Sequence, residues 1–228
     1  MSRKAFLLTL ISILFSAFSM QAWGSKTITI KTIPESAGIW IDGQHVGEGT
    51  YKVKFDKDNE FYVVTVRKTG YIGKRFRLLK SNPQKTVVYT LHPDEALEAS
   101  TGSENGMELA NQWMDITCRK GMKEDIIWKR LMNICTNYFS NVQVRDKSAG
   151  WIKTAWKITT FTHQTVRTRL EIRISFADEE VTSYQARIIS EIKSNDCSGD
   201  NCYETYNRVL KKFEPMIEEL QTSVGGGE

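Results

Sequence analysis

The 228-residue chain is short of several things that would announce a function. It has only four cysteines, too few for a small disulfide-built scaffold. Its 31 Lys+Arg against 27 Asp+Glu leave a net charge of +4, too small to argue for nucleic-acid binding. It has only three histidines, His45, His92 and His163, each standing alone without a neighbouring carboxylate or nucleophile at a recognisable spacing. Neither H-E-x-x-H nor G-x-S-x-G occurs, and there is no Gly-rich phosphate loop. Short formal matches to penicillin-binding signatures, Ser190 to Lys193 and Lys68-Thr69-Gly70, stand in reversed order and lack the third element. These absences point away from an enzyme, so the reading assigns no catalytic residue, no metal and no cofactor. With 40% hydrophobic and 25% charged residues, the composition is that of a globular protein.

The one long apolar run lies at the start. Arg3 and Lys4 precede the sixteen uncharged residues Ala5 to Met20, and Ala22 and Gly24 follow two apart. This is the pattern of a secretory signal peptide over residues 1–24, cut after Gly24. The alternative is an uncleaved anchor, but the run is shorter than the roughly 20 residues that cross a bilayer. After cleavage no integral membrane span is expected. The expected location is a periplasm or the cell surface, an oxidising setting in which cysteines pair. Cys118, Cys135, Cys197 and Cys202 allow three pairings. Ser198-Gly199-Asp200-Asn201 can turn the chain between the last two, so Cys197–Cys202 with Cys118–Cys135 is the expected set. A zinc site would need closer ligand pairs, and a redox pair would need Cys-x-x-Cys.

Residues 25–92 alternate polar and apolar positions over Thr27–Lys31, Gly38–Asp42 and Thr50–Phe55, with further strands expected at Tyr62–Lys68, Tyr71–Leu79 and Thr86–Leu91. Turn signals at Asp42-Gly43, Gly47-Glu48-Gly49, Asp58-Asn59, Thr69-Gly70 and Asn82-Pro83 separate them. Short strands at this spacing predict an all-β sandwich. Pro34-Glu35-Ser36-Ala37, Ile39-Trp40-Ile41-Asp42-Gly43, Gly47-Glu48-Gly49-Thr50 and Gly70-Tyr71 together resemble the PEGA-domain family, with Ser36 where the family motif has Gly. The resemblance covers under a third of the chain. It implies a small β-sandwich of bacterial envelope proteins and no enzyme chemistry. Alternation places Ile39, Ile41, Tyr51, Val53 and Phe55 inward and Trp40, Lys52 and Lys54 outward, joined by Arg67, Arg75 and Arg77. This segment holds twelve basic and six acidic residues. An outward Trp among cations suits an acidic glycan, because rings stack and guanidinium and ammonium groups pair with acids. The alternative is a solvated strand face on which Lys discourages edge pairing.

Residues 93–107 read as a linker and 223–228 as a flexible tail. Between them, residues 108–222 read as an α+β domain, a two-layer arrangement of antiparallel sheet with helices on one face. The pattern predicts a helix over Asp125–Phe139, strands over Val142–Val144, Gly150–Phe161, Val166–Phe176 and Thr182–Ile192, and a closing helix over Tyr206–Leu220. Asn201 and Glu204 have capping-box spacing at its start, and Pro215 should kink it. Ile152, Thr154, Trp156 and Ile158 are assigned to one face. Gly150 to Thr154 and Arg167 to Leu170 resemble helix-grip domains of bacterial envelope-assembly lipoproteins, although the lipid-bearing cysteine is missing. The helix-free face should carry Lys153, Lys157, Arg167, Arg169, Glu171, Arg173, Arg187 and Glu191, of which Lys153, Arg167, Arg169 and Arg173 are ligand candidates; cross-strand charge pairing is the alternative. The functional expectation is an exported, non-enzymatic envelope protein that binds a cell-wall or surface glycan or another envelope protein, with no nucleic-acid partner and an undetermined oligomeric state. The alternatives are a carrier holding a hydrophobic ligand between Phe213, Ile217 and the strands, and a hydrolase with dispersed carboxylates.

Overall fold

The structure is a computed structural model that describes residues 25–101, 110–177 and 182–224. The signal-peptide assignment, most of the linker and the end of the tail lie outside the described residues. The described residues are mostly β, with three sheets and few helices. Its contacts divide it into two compact units, residues 1–91 and 92–228, each with its own core.

In the first unit, β1 (Thr27–Ile33) runs between β4 (Thr50–Lys54), antiparallel, and β7 (Thr86–Thr90), parallel. A second, four-stranded sheet has the order β3 (Gln44–Glu48), β2 (Gly38–Ile41), β5 (Phe61–Arg67), β6 (Lys74–Leu79). Period-two alternation turns Ile28, Ile30 and Val53 of the first sheet and Ile39, Val64, Val66 and Leu78 of the second into one buried cluster. Asp42 and Gly43 both have positive φ, +48° and +86°, as the two-residue turn joining β2 to β3 requires.

The second unit is a seven-stranded antiparallel sheet. Its main order is β14 (Glu204–Thr205), β13 (Thr182–Ser194), β12 (Gln164–Ala177), β10 (Trp151–Thr154), β9 (Val142–Asp146). β11 (Lys157–Thr160) also pairs with β12, and β8 (Trp113–Thr117) with β13. Helices α1 (Glu95–Glu98), α2 (Glu124–Tyr138) and α3 (Glu214–Thr222) bring Ala96, Ile127, Leu131, Ile134, Met216 and Leu220 onto one core with Ile152, Val166, Leu170, Ile172, Tyr184 and Ile188 of the sheet.

Several expectations change. The linker does not begin at 93: Asp94 caps α1 by accepting from Leu97 N (2.9 Å), and Ala96 is fully buried. Ser100 and Thr101 then bond to Tyr206 and Val209. The tail does not begin at 223, because Val224 is buried and its carbonyl accepts from Arg119 N. The closing helix is shorter than predicted. Asp200–Cys202 form a 3-10 turn, Glu204 and Thr205 pair with β13, and α3 starts at Glu214. Pro215 sits in the first turn of α3, where its missing N–H costs nothing, and it does not kink the helix.

The strand predicted over Gly150–Phe161 is broken. Trp151–Lys153 oppose Arg173–Glu171, but Lys157–Thr160 oppose Thr168–Thr165, so one extra residue is accommodated around Ala155-Trp156. A bulge of one residue reverses side-chain facing beyond it. Ile152 and Thr154 stay in the core as expected, whereas Ile158 is 62% exposed and Lys157 turns to the helix side, donating to Tyr138 O (2.7 Å).

Of the expected disulfides, Cys197–Cys202 is formed, with its Cα atoms 5.9 Å apart. Cys118 and Cys135 are free thiols buried in the core, one just past β8 and one inside α2. Both act as small apolar side chains there.

Candidate functional site

The candidate site lies on the outward face of the four-stranded sheet. Gly38 of β2 stands between Glu48 of β3 and Arg67 of β5; Trp40 stands between His45 and Thr65. Gly38, Trp40, His45, Glu48 and Arg67 of these rows, with Ser36, Lys68 and Thr69 of the adjoining loops, line an open depression of about 610 Å³. Trp40 faces outward as alternation predicts, yet it is only half exposed because it folds back over Gly38. A Cβ at residue 38 would lie 2.5 Å from the tip of the indole, so only glycine leaves that space. The Arg67 guanidinium lies over the indole, 4.0 Å from its centroid, and the His45 ring is 4.8 Å away and tilted. Lys68 Nζ donates to Ser36 Oγ at 2.5 Å. Trp40 is therefore the floor on which a guanidinium is held, and the groups offered to a ligand are the polar edges around it.

The ligand candidates of the first unit are brought together only in part. Trp40 and Arg67 meet in the depression. Arg75 shares their face, opposite Thr65, and Arg77 lies further along it over the Phe61 ring at 4.8 Å. Lys52 and Lys54 belong to the other sheet and play no part. Sequence reasoning missed Ser36, Gly38, His45, Glu48, Lys68 and Thr69. One signal was available: a two-residue turn at Asp42-Gly43 demands a returning strand beside Trp40, which is where His45 and Glu48 lie.

In the second unit the candidates are already engaged. Glu171, its side chain only 4% exposed, receives Arg187 Nη2 at 2.7 Å, Arg169 Nη2 at 3.2 Å and Lys153 Nζ at 3.9 Å. Arg173 donates twice to Gln185 Oε1, at 3.1 and 2.9 Å, and lies over Trp113, as does Arg187. Arg167 donates to Glu191 and Asp200 and is stacked on Trp156 and Tyr203. Arg169 also covers Trp156, at 4.3 Å from the ring centroid. The cross-strand charge pairing offered as the alternative is present, Arg187 with Glu171 and Arg167 with Glu191, within a lattice of arginines and tryptophans. Trp113 belongs to a strand that was not predicted, and Trp156 was assigned to the same face as Ile152 and Thr154. The bulge at Ala155-Trp156 is why Trp156 reaches the arginines.

Other chemistry is sparse. His92 and His163 stack at 3.9 Å. Next to His163, the backbone N–H and hydroxyl of Thr162 donate to Glu95 and hold its carboxyl below the usual carboxylate range. Among the described residues no group of three or more His, Cys, Asp or Glu could hold a metal, and no helix is long and apolar enough to cross a membrane. Phe213, expected to wall a hydrophobic ligand, is 1% exposed and stacks on Phe139 at 5.5 Å. No family profile matches the chain, and no curated protein matches it.

Proposed function

We propose that this is an exported, non-enzymatic bacterial envelope protein that binds an acidic glycan of the cell wall or surface in the Trp40 depression. In this reading the first unit is a PEGA-like β-sandwich serving as the binding module, and the second is an α+β domain that carries it. One observation supports the reading above the rest: Arg67, immobilised on Trp40, converges with Lys68 and His45 in one depression. A guanidinium already ordered by stacking loses little freedom when it pairs with an acid. The cations of the second unit are used internally, so the depression is preferred over that sheet face.

The test is retention of the full exported chain on protein-free cell-wall material. Trp40→Ala and Arg67→Ala should each reduce retention by about tenfold, the scale of one lost charged contact. Lys52→Ala should retain like the wild type. Wild-type retention by both depression variants would overturn the reading. Binding that appears only when wall-associated protein is present would shift it to an envelope-protein partner. Cleavage after Gly24, read as an N-terminal Ser25 by mass spectrometry of a periplasmic fraction, tests the export on which the reading depends.

A further inference from the structure

The depression is not uniformly basic, and that bears on what it would hold. Glu48 lines it together with Arg67 and Lys68. The strand register explains the arrangement. Gly38 is paired with Glu48 on one side and Arg67 on the other, so residues of opposite charge leave the sheet on either side of a position without a side chain. With strands about 4.8 Å apart, their Cα atoms are separated by about 10 Å. Among the described residues neither Glu48 nor Arg67 has an ionic partner. This contrasts with the second unit, where Glu171, Glu191 and the arginines around them are paired. The absence of a side chain at Gly38 leaves room for the Trp40 indole, which lies over it as the floor of the depression. Hydroxyls of Ser36 and Thr69 stand at the rim.

A pure anion would be drawn to Arg67 and Lys68 but would also meet Glu48, which lines the same depression. Like charge there costs affinity and discriminates against such a ligand. A group carrying both charges meets complementary partners on both sides. We infer that the depression recognises a zwitterionic group, an ammonium set against Glu48 and a carboxylate or phosphate set against Arg67 and Lys68, carried on the envelope ligand. This rests on the reading of the depression as the ligand site and sharpens it from an acidic glycan to one bearing a free amine beside its acid. Two sources share that chemistry: a wall peptide with free amino and carboxyl groups, and a phosphoethanolamine substituent.

The experiment titrates the full exported chain with small probes and follows the Trp40 indole N–H by NMR. Alanyl-alanine and O-phosphoethanolamine represent the two sources, and their N-acetylated forms keep the anion and remove the ammonium. The expected result is that at least one zwitterion binds about tenfold tighter than its N-acetylated form, with the better probe naming the source. Glu48→Gln should bring that ratio to about one, and Arg67→Gln should abolish binding of both forms. Gly38→Ala, which pushes the indole out of its place, should do the same. Glu48 and Arg67 are exposed, and circular dichroism of each variant should match the wild type. The inference is overturned if the N-acetylated probes bind as well as the zwitterions, if Glu48→Gln keeps the preference, or if no zwitterion moves the Trp40 signal. Should wall retention still depend on Arg67 in that case, the zwitterion idea falls and the acidic-glycan reading stands. Should retention be indifferent to both Trp40 and Arg67, the underlying reading falls as well.

Discussion

Residues with the same chemistry do opposite work in this protein, and burial decides which. Glu171 is nearly covered and is held by three cations, so its charge is internal structure. Glu48 is exposed and unpaired among the described residues, so its charge remains open to a ligand. The cysteines divide similarly. Cys197 and Cys202 are bonded, whereas burial pushes the Cys118 thiol up to about 11 and Cys135 up to about 12, from a usual value near 9. In the unfolded chain both thiols ionise near pH 9, while in the folded chain they stay protonated well above it. As pH rises past 9 the unfolded state gives up protons first. The stability due to the neutral thiols is therefore complete below about pH 9 and is lost as pH climbs through 11 to 12. Urea unfolding between pH 8 and about pH 10.5 should show a free energy that falls by up to about 1.4 kcal/mol per pH unit for each thiol. Cys135→Ala should flatten part of that slope, whereas a slope unchanged in the variant would count against the assignment.

At the scale of elements, the break between β10 and β11 does most to shape the second unit. One extra residue turns Trp156 and Ile158 to the arginine face and Lys157 to the helix face. The ladder is repaired at the break by a side chain, since Leu170 N donates to Thr154 Oγ1 at 2.9 Å. Thr154→Val keeps the shape but strands a buried N–H, at a cost of about 1–3 kcal/mol. Chemical denaturation should reveal that loss, and Thr160→Val, at an exposed position on β11, should cost far less. Alternation alone could not find the break, because Ala155 and Trp156 continue an acceptable strand pattern. The short pairing of Glu204-Thr205 was hidden for a similar reason: Tyr206, Val209, Leu210 and Phe213 lie at helical spacing, yet Tyr206 reaches Ser100 and Ala96 across the fold.

For the whole molecule, the two core clusters share no residue. Each unit buries its own apolar surface, so each has its own source of cooperativity. Calorimetry of the protein is expected to show two transitions, and a single two-state transition would mean that the units are energetically one. The charges are also unevenly divided, with a net +6 over residues 25–92 and −4 over 93–228. A near-neutral average thus conceals a basic unit and a mildly acidic one, and if the first binds an acidic surface as proposed, low salt should strengthen that association.

Local pattern was enough to show the strands of the first unit other than β3, whose Gly47-Glu48-Gly49 read as a turn, together with the Asp42-Gly43 turn, the α2 stripe, the Cys197–Cys202 loop and the outward direction of Trp40. All of these depend on neighbours within a few positions, where period, turn chemistry and spacing act directly. Register across strands lay beyond that range. It put Glu48 and Arg67 on either side of Gly38, left Lys52 and Lys54 on another sheet, and drew Trp113 and Trp156 onto arginines far away in the chain. Which cations are paired and which stay available depends on those long-range pairings, and the candidate site took its form there.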